Sequence, residues 1–448
     1  MPPRPGTTHR AINRLIATAM ACLALPVAAA ATPAAPATAA PPNSPRQLHY
    51  QGTFVAEAHY RRPGDTRRYG SEQWYYTDGK GRVRLEWTTW NEGDTTRVPE
   101  SFLFIGESVF HRDAPTGPWR LLAGERARLG RFQALAGLMP GNRIEQHAHP
   151  RLGDVRDSVI FASGRAPTDP TTMLVVLHER DHQWRMTQTL VETRAAAPPE
   201  SLLAAPTNPD PPDTRDESMT APPVLTQLAP HVWCAEMEDI DSRTLVVEFA
   251  NNLAVAEIAV GSKNGERIVD ALRRRFPNKP IGHALFSHYH PHYTGGLRAL
   301  IAEGAVVATT PGNEAFVRGV VEYPFTLEPD RLARSGRVLA VRPFTDRVEL
   351  HDDSTSLVAI DYGARSEHTD EFVVFYLPRQ KILFQSELGW VRRPDGTLRA
   401  IRRAAALLEW IAAEGLDVER IVQGWPMRGN ERELTRERLA ELVAEGKK

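Results

Sequence analysis

Cysteine is almost absent from this chain of 448 residues; only Cys22 and Cys234 occur. Cys22 lies inside an N-terminal apolar run, so if that run is cut away Cys234 remains alone. That excludes an intramolecular disulfide and with it a disulfide-built scaffold. A charge excess of either sign is also missing. Lys plus Arg number 54 and Asp plus Glu 55, a formal net charge of −1. The basic surface that a nucleic-acid binder needs is therefore not expected. Long hydrophobic runs are lacking too. The apolar stretch 15–30 is 16 residues long, short of the roughly 20 that span a bilayer as a helix.

What is present at the N-terminus has the layout of an export signal over 1–30. Arg4, His9, Arg10 and Arg14 lead into the apolar run, and Ala28-Ala29-Ala30 offers a small-residue cleavage site. The expectation is a periplasmic or secreted protein with no stable membrane span after signal removal. Residues 31–46 are rich in Ala and Pro and read as a disordered linker.

Residues 47–195 read as a β-rich N-terminal domain. Val83, Leu85 and Trp87 alternate with Arg82, Arg84 and Glu86, and Asp78-Gly79 marks a hairpin turn ahead of them. Further strands are expected over 102–105, 108–110 and 173–177, with one helix over 131–138. The unit is expected to be a curved antiparallel sheet or half-barrel. Its pair His147-Ala148-His149 reads as an exposed loop. Trp74, Trp87, Trp90 and Trp119 read as core or as the face of a hydrophobic groove. Residues 196–225 are a second Pro/Asp/Thr/Ala-rich stretch and read as a linker or a surface-draped segment.

From 226 to 448 strands alternate with helices, the pattern of an α/β domain with both sheet faces covered. Helices are expected over 263–276, 295–302, 313–321 and 399–414, with a charged helix at the end. Strands are expected over 244–249, 253–256, 283–286, 305–309, 356–361, 372–377, 381–384 and 418–422. Cys234, in an apolar stretch, reads as a packed core thiol.

Between the strand at 283–286 and the helix that follows stands Ser287-His288-Tyr289-His290-Pro291-His292-Tyr293-Thr294-Gly295-Gly296. Alternate histidines at a strand end aim imidazoles at one point, which is how zinc and iron sites are built. The stretch resembles the His-x-His-x-Asp-His-x-Gly-Gly signature of the metallo-β-lactamase superfamily. Here His292 stands at the Asp position and Tyr293 at the third His position. The resemblance extends over 226–428. Phe276-Pro277-Asn278-Lys279-Pro280-Ile281 precedes the motif and Gly304-Ala305-Val306-Val307 follows it. Ser366-Glu367-His368-Thr369-Asp370, the stretch ending in Glu387, and Val422-Gln423-Gly424-Trp425-Pro426 come later.

The resemblance implies an αββα metallo-β-lactamase sandwich, preceded here by the separate, mostly antiparallel β domain. It implies a first metal held by His288, His290 and His368. The second metal's positions carry His292, Tyr293 and Trp425, and tryptophan cannot ligate. Glu387 stands where the family has a bridging Asp. Glu257 stands where it has an Asp near the metal loop, and is expected to support that loop by hydrogen bonds.

Three imidazoles and an open position are the ligand set of a catalytic zinc. The expected function is an exported hydrolase with one zinc per chain, acting on an ester, amide or lactam bond of a small-molecule substrate. His292 or Glu387 would orient or deprotonate the attacking water. Two other readings stand beside it. One is a catalytically inactive binding or scaffold protein of the cell envelope. The other is a mononuclear iron thiol oxidase, since two histidines and a carboxylate suit non-haem iron.

Overall fold

A computed structural model describes residues 44–58, 66–91, 97, 99–124, 127–132, 142–149, 151–162, 172–179, 182–211, 221–258, 260–390, 401–426 and 431–446. The expected export signal, and all but the last residues of the first linker, lie outside the described residues. So does most of the helix expected over 131–138, of which residues 131 and 132 are helical, as are 127–130. Among the described residues no helix is long and apolar enough to cross a membrane.

The first sheet has ten strands: β1 (Arg46–Ala58), β2 (Thr66–Thr77), β3 (Arg82–Trp90), β4 (Glu100–Ile105), β5 (Ser108–Arg112), β6 (Arg120–Leu122), β7 (Arg143–His149), β8 (Gly153–Ala162), β9 (Thr172–Glu179) and β10 (His182–Arg194). Their order is β6-β5-β4-β3-β2-β1-β10-β9-β8-β7, and every pairing is antiparallel. The alternation read from the sequence is realised: Val83, Leu85 and Trp87 are buried in one apolar cluster with Phe54, Tyr75 and Met186. The β2–β3 turn is closed by Asp78, whose Oδ1 accepts the backbone N–H groups of Lys80 and Arg82. The sheet is curled. Leu122 on β6 and Leu177 on β9 line one cavity, yet seven strand spacings separate β6 from β9 in the order, about 34 Å in a flat sheet.

His147 and His149 are not an exposed loop pair. Both lie in β7, His149 is buried at 1% exposure, and its Nδ1 accepts the N–H of Arg151 and Leu152. The strand runs on through both histidines, and two residues apart they share one face, where the His147 side chain, 13% exposed, meets Asp157. Part of the stretch 196–225 is ordered on the first sheet, with Asp210 and Trp119 joined through the backbone at 2.7 Å.

The second sheet runs in sequence order through β11 (Val224–Ala229), β12 (Val232–Met237), β13 (Ser242–Glu248), β14 (Leu253–Ala256), β15 (Ile281–Leu285), β16 (Val306–Thr309) and β17 (Ala340–Pro343). The third follows likewise through β18 (Arg347–His351), β19 (Ser356–Asp361), β20 (Val373–Leu377), β21 (Ile382–Gln385), β22 (Arg420–Gln423) and β23 (Glu433–Thr435). Both alternate apolar residues on two faces, and this builds the layers. Leu245 and Val247 of β13 meet Val373, Phe375 and Leu377 of β20 in the core between the sheets. Val246 faces out, onto Ile268 and Leu272 of α1 (Ser262–Arg275) and Leu297 and Leu300 of α3 (Leu297–Ala302), which follows the short α2 (Pro291–Thr294). Val374 and Tyr376 face the other way, onto α4 (Ile401–Ala413) and α5 (Arg436–Gly446). Helix, sheet, sheet and helix are thus stacked in four layers, with an antiparallel β sheet preceding them in the chain.

The helix expected over 295–302 starts two residues later, at Leu297, after two glycines whose positions leave no room for a side chain. A Cβ on Gly295 would lie 2.4 Å from the carbonyl carbon of Val260, and one on Gly296 2.1 Å from the Ile258 side chain. The two glycines let this turn press against the 257–261 loop.

Candidate metal centre

The histidine loop leaves the C-terminal end of β15. Its backbone is tied to both sheets: the Ser287 N–H donates to Glu257 Oε1 at 2.6 Å, and the Ser287 carbonyl accepts from Val373 N–H at 2.8 Å. Pro291 then opens α2, where its fixed φ suits the first helical position and its missing N–H costs nothing. His368 comes from the loop after β19, which Ser366 braces by accepting the N–H groups of His368 and Thr369. Glu387 follows β21, and Trp425 follows β22. Strand ends from both sheets therefore meet at one edge of the sandwich.

There the structure brings His288, His290 and His368 together, with ligand atoms all within 4.8 Å of one another. His290 Nδ1 lies 3.0 Å from His288 Nε2 and 3.1 Å from His368 Nε2. Two nitrogens about 2.05 Å from one tetrahedral zinc would stand about 3.3 Å apart, so the spacing fits a shared ion to within a few tenths. The tautomer fits as well. Ser287 Oγ sits 2.9 Å from His288 Nδ1; if that nitrogen carries the proton, the Nε2 lone pair is left for a metal. His288 is fully buried, stacked on Phe372 and edged by Tyr293, whereas His290 and His368 are half-buried. Burial first, and the neighbouring His290 second, hold the His288 imidazole well below its usual pKa and so in the neutral form a metal requires.

Glu387 adjoins the cluster. Its Oε1 is 2.9 Å from His368 Nε2, its Oε2 accepts from the Tyr293 hydroxyl at 3.0 Å, and Arg403 stands 3.5 Å away. Burial opposes its ionisation. When no metal is bound, a hydrogen bond from a protonated His368 Nε2, with positive charge in the histidine cluster beside it, outweighs burial and holds the carboxyl well below the usual range. Tyr293 is pushed the other way, by burial and then by Glu387, and keeps its proton. Glu257, also buried, lies well above the usual carboxyl range and braces the loop as expected, through Ser287. His292 does not join the three converging imidazoles: its ring stacks on Trp425 at 3.7 Å, and Trp425 in turn accepts a hydrogen bond from Trp390 on its carbonyl.

Two members of the site were not found by sequence reasoning. Ser287 precedes the motif directly, and a hydroxyl next to the first motif histidine was a usable signal. Arg403 carried none, since helix α4 reaches the site only through the tertiary fold.

The four-layer sandwich with a His-x-His loop at its strand ends is the arrangement that the resemblance to the metallo-β-lactamase superfamily implied. No family model matches the chain, and no curated protein matches it. Solved structures do. A metallo-β-lactamase from Pontibacter korlensis is 16% identical over 50% of this chain and 97% of its own, at a TM-score of 0.37. The metallo-β-lactamase FIM-1 from Pseudomonas aeruginosa, in a mono-zinc form, is 21% identical over 51% of this chain and 96% of its own, at 0.36. A stereoselective inverting sec-alkylsulfatase from Pseudomonas sp. is 14% identical over 50% of this chain, which spans 41% of that protein, at 0.35.

Proposed function

We propose that this protein is a periplasmic or secreted hydrolase that works with a single zinc held by His288 Nε2, His290 Nδ1 and His368 Nε2. The observation that carries the reading is the convergence of those three ring nitrogens at 3.0 and 3.1 Å around His290. A zinc bound there would supply an acidified water and a Lewis acid for a carbonyl oxygen. The chain's own groups do the rest. Ser287 fixes the His288 tautomer. Glu387, anchored by Tyr293, presents a carboxylate beside the cluster that can accept a proton from water and orient it. His292, stacked on Trp425, flanks the cluster as a second group for that role. The half-buried rings of His290 and His368 leave an open side for a small-molecule ester, amide or lactam. A domain over 47–195 and another over 226–448 belong to this reading, as does the absence of a nucleic-acid partner.

Elemental analysis of the purified protein tests it, beside a His288→Ala/His368→Ala variant. About one zinc per chain, lost in the variant, is expected, together with hydrolysis of a member of an ester, lactone and lactam panel that stops on chelation. Iron in place of zinc would move the assignment to oxidation. No metal after incubation with zinc would overturn the enzyme reading and leave a binding or scaffold protein.

A further inference from the structure

The ten-stranded sheet holds a cavity of about 540 Å³ that the metal centre does not use. That volume lies in the range of sites for drug-sized molecules. Its walls are aromatic and aliphatic: Phe54, Tyr69, Trp87, Phe102, Leu177 and Trp184. The rings are already packed edge to face, Phe54 at 5.2 Å from Trp87 and 5.4 Å from Trp184, so the walls are preformed. The Trp87 indole N–H is satisfied by Ser71 at 3.0 Å, which leaves its ring as apolar surface.

One side of the lining is polar, and it has one sign. His111 lies between two carboxylates, with Nε2 3.0 Å from Glu100 and Nδ1 3.7 Å from Asp113. Among the described residues no Arg or Lys lines the cavity. Two carboxylates outweigh one imidazole whether or not that imidazole is protonated, so this side is negative in either state. Alternation along β5 enforces the sign: His111 turns into the cavity against Phe102, while its neighbour Arg112 lies over Trp119.

We propose that this cavity binds an amphiphile with one apolar body and a cationic, ammonium-type head, the body against the aromatic walls and the head at Glu100 and Asp113. Aromatic walls and carboxylates attract the same ligand, since ring faces also favour a cation. The proposal does not depend on the metal centre.

The test is a titration of the full chain with three sub-micellar probes of equal chain length: dodecyltrimethylammonium, dodecanol and dodecyl sulfate. Binding is read by calorimetry and by the emission of Trp87 and Trp184. Saturable one-to-one binding is expected, at least tenfold tighter for the ammonium head than for the sulfate. Glu100→Gln/Asp113→Asn should remove that preference and leave dodecanol binding within twofold. The two side chains are 42% and 75% exposed, so this variant is expected to fold. Ala56→Phe, which narrows the cavity, should weaken all three probes. Equal affinity for the three heads, or a preference that survives the double substitution, would overturn the cationic head. Displacement of the ammonium probe by equimolar zinc would reassign Glu100, His111 and Asp113 to a metal and overturn it as well. No saturable binding of any probe would overturn the cavity as a site.

Discussion

Replacing Ser287 by Ala removes one buried hydroxyl and little else. The backbone links of Ser287, to Glu257 Oε1 at 2.6 Å and from Val373 N–H at 2.8 Å, do not involve the side chain and survive. What disappears is the partner 2.9 Å from His288 Nδ1, together with the hydroxyl's own hydrogen bond to Glu257. Two consequences can be separated. In the metal-free protein a buried imidazole N–H loses its partner, a cost of about 1–3 kcal/mol in stability. In metal binding, the ring no longer has a group fixing its tautomer and orientation. Removing such an outer partner lowers metal affinity about 10- to 100-fold, or about 1.4–2.8 kcal/mol at 1.4 kcal/mol per tenfold. Competition with a chromophoric zinc chelator measures the second effect, and urea unfolding of the metal-free protein measures the first. The expected order of affinity is wild type, then Ser287→Ala by one to two decades, then His288→Ala with no measurable site. Wild-type zinc affinity in Ser287→Ala, with His288→Ala still abolishing binding, would refute the argument that Ser287 prepares His288.

Two further outcomes follow from groups away from the cluster. Asp330 and Arg298 form a buried two-point ion pair at 2.6 and 3.0 Å, with Ser262 and the Val320 and Val321 carbonyls completing their hydrogen bonds; Asp330→Ala should cost about 3–5 kcal/mol because it leaves the guanidinium buried and unpaired, and a loss below about 1 kcal/mol in chemical denaturation would contradict this. Burial, opposed by Arg243, pushes the Cys234 thiol up to about 12 from an ordinary value of 9.0. Between those values the folded state holds a proton that the unfolded state has released, so this group's contribution to stability is complete below pH 9 and is lost as pH rises toward 12, by up to about 1.4 kcal/mol per pH unit. Cys234→Ala should flatten that slope, and native Cys234 should resist alkylation at pH 8 until the protein is denatured; fast labelling of the native protein would count against the burial argument.

Most elements were legible because each faces a single environment. Helix 263–276 appears as α1 (Ser262–Arg275), and strand 356–361 appears as β19 (Ser356–Asp361), since apolar period and a terminating Pro277 are local properties of the chain. The histidine triad was legible through the order of its motifs. His149 was not: whether a histidine near a strand end points inward depends on how far the strand pairs, which is set by β8 across from it. Nor was the separation of His292 from the other three rings. Its sequence position beside His290 says nothing about Trp425, which is 133 residues away and offers the flat ring on which His292 stacks.

By itself the sequence determined the alternation of strands and helices from 226 onward, the strand-end loop with its alternate histidines and paired glycines, and the near-zero net charge. These depend on periodicity and residue chemistry, which are carried by neighbours in the chain. Only the tertiary structure decided that the Ser287 hydroxyl lies beside His288 Nδ1, that Tyr293 and Arg403 flank Glu387, and that the first sheet closes round a cavity with aromatic walls and a negative rim. Each of these is a contact between segments distant in sequence or a choice among side-chain directions, and such contacts acquire their energy only when the sheets close and water leaves the space between them.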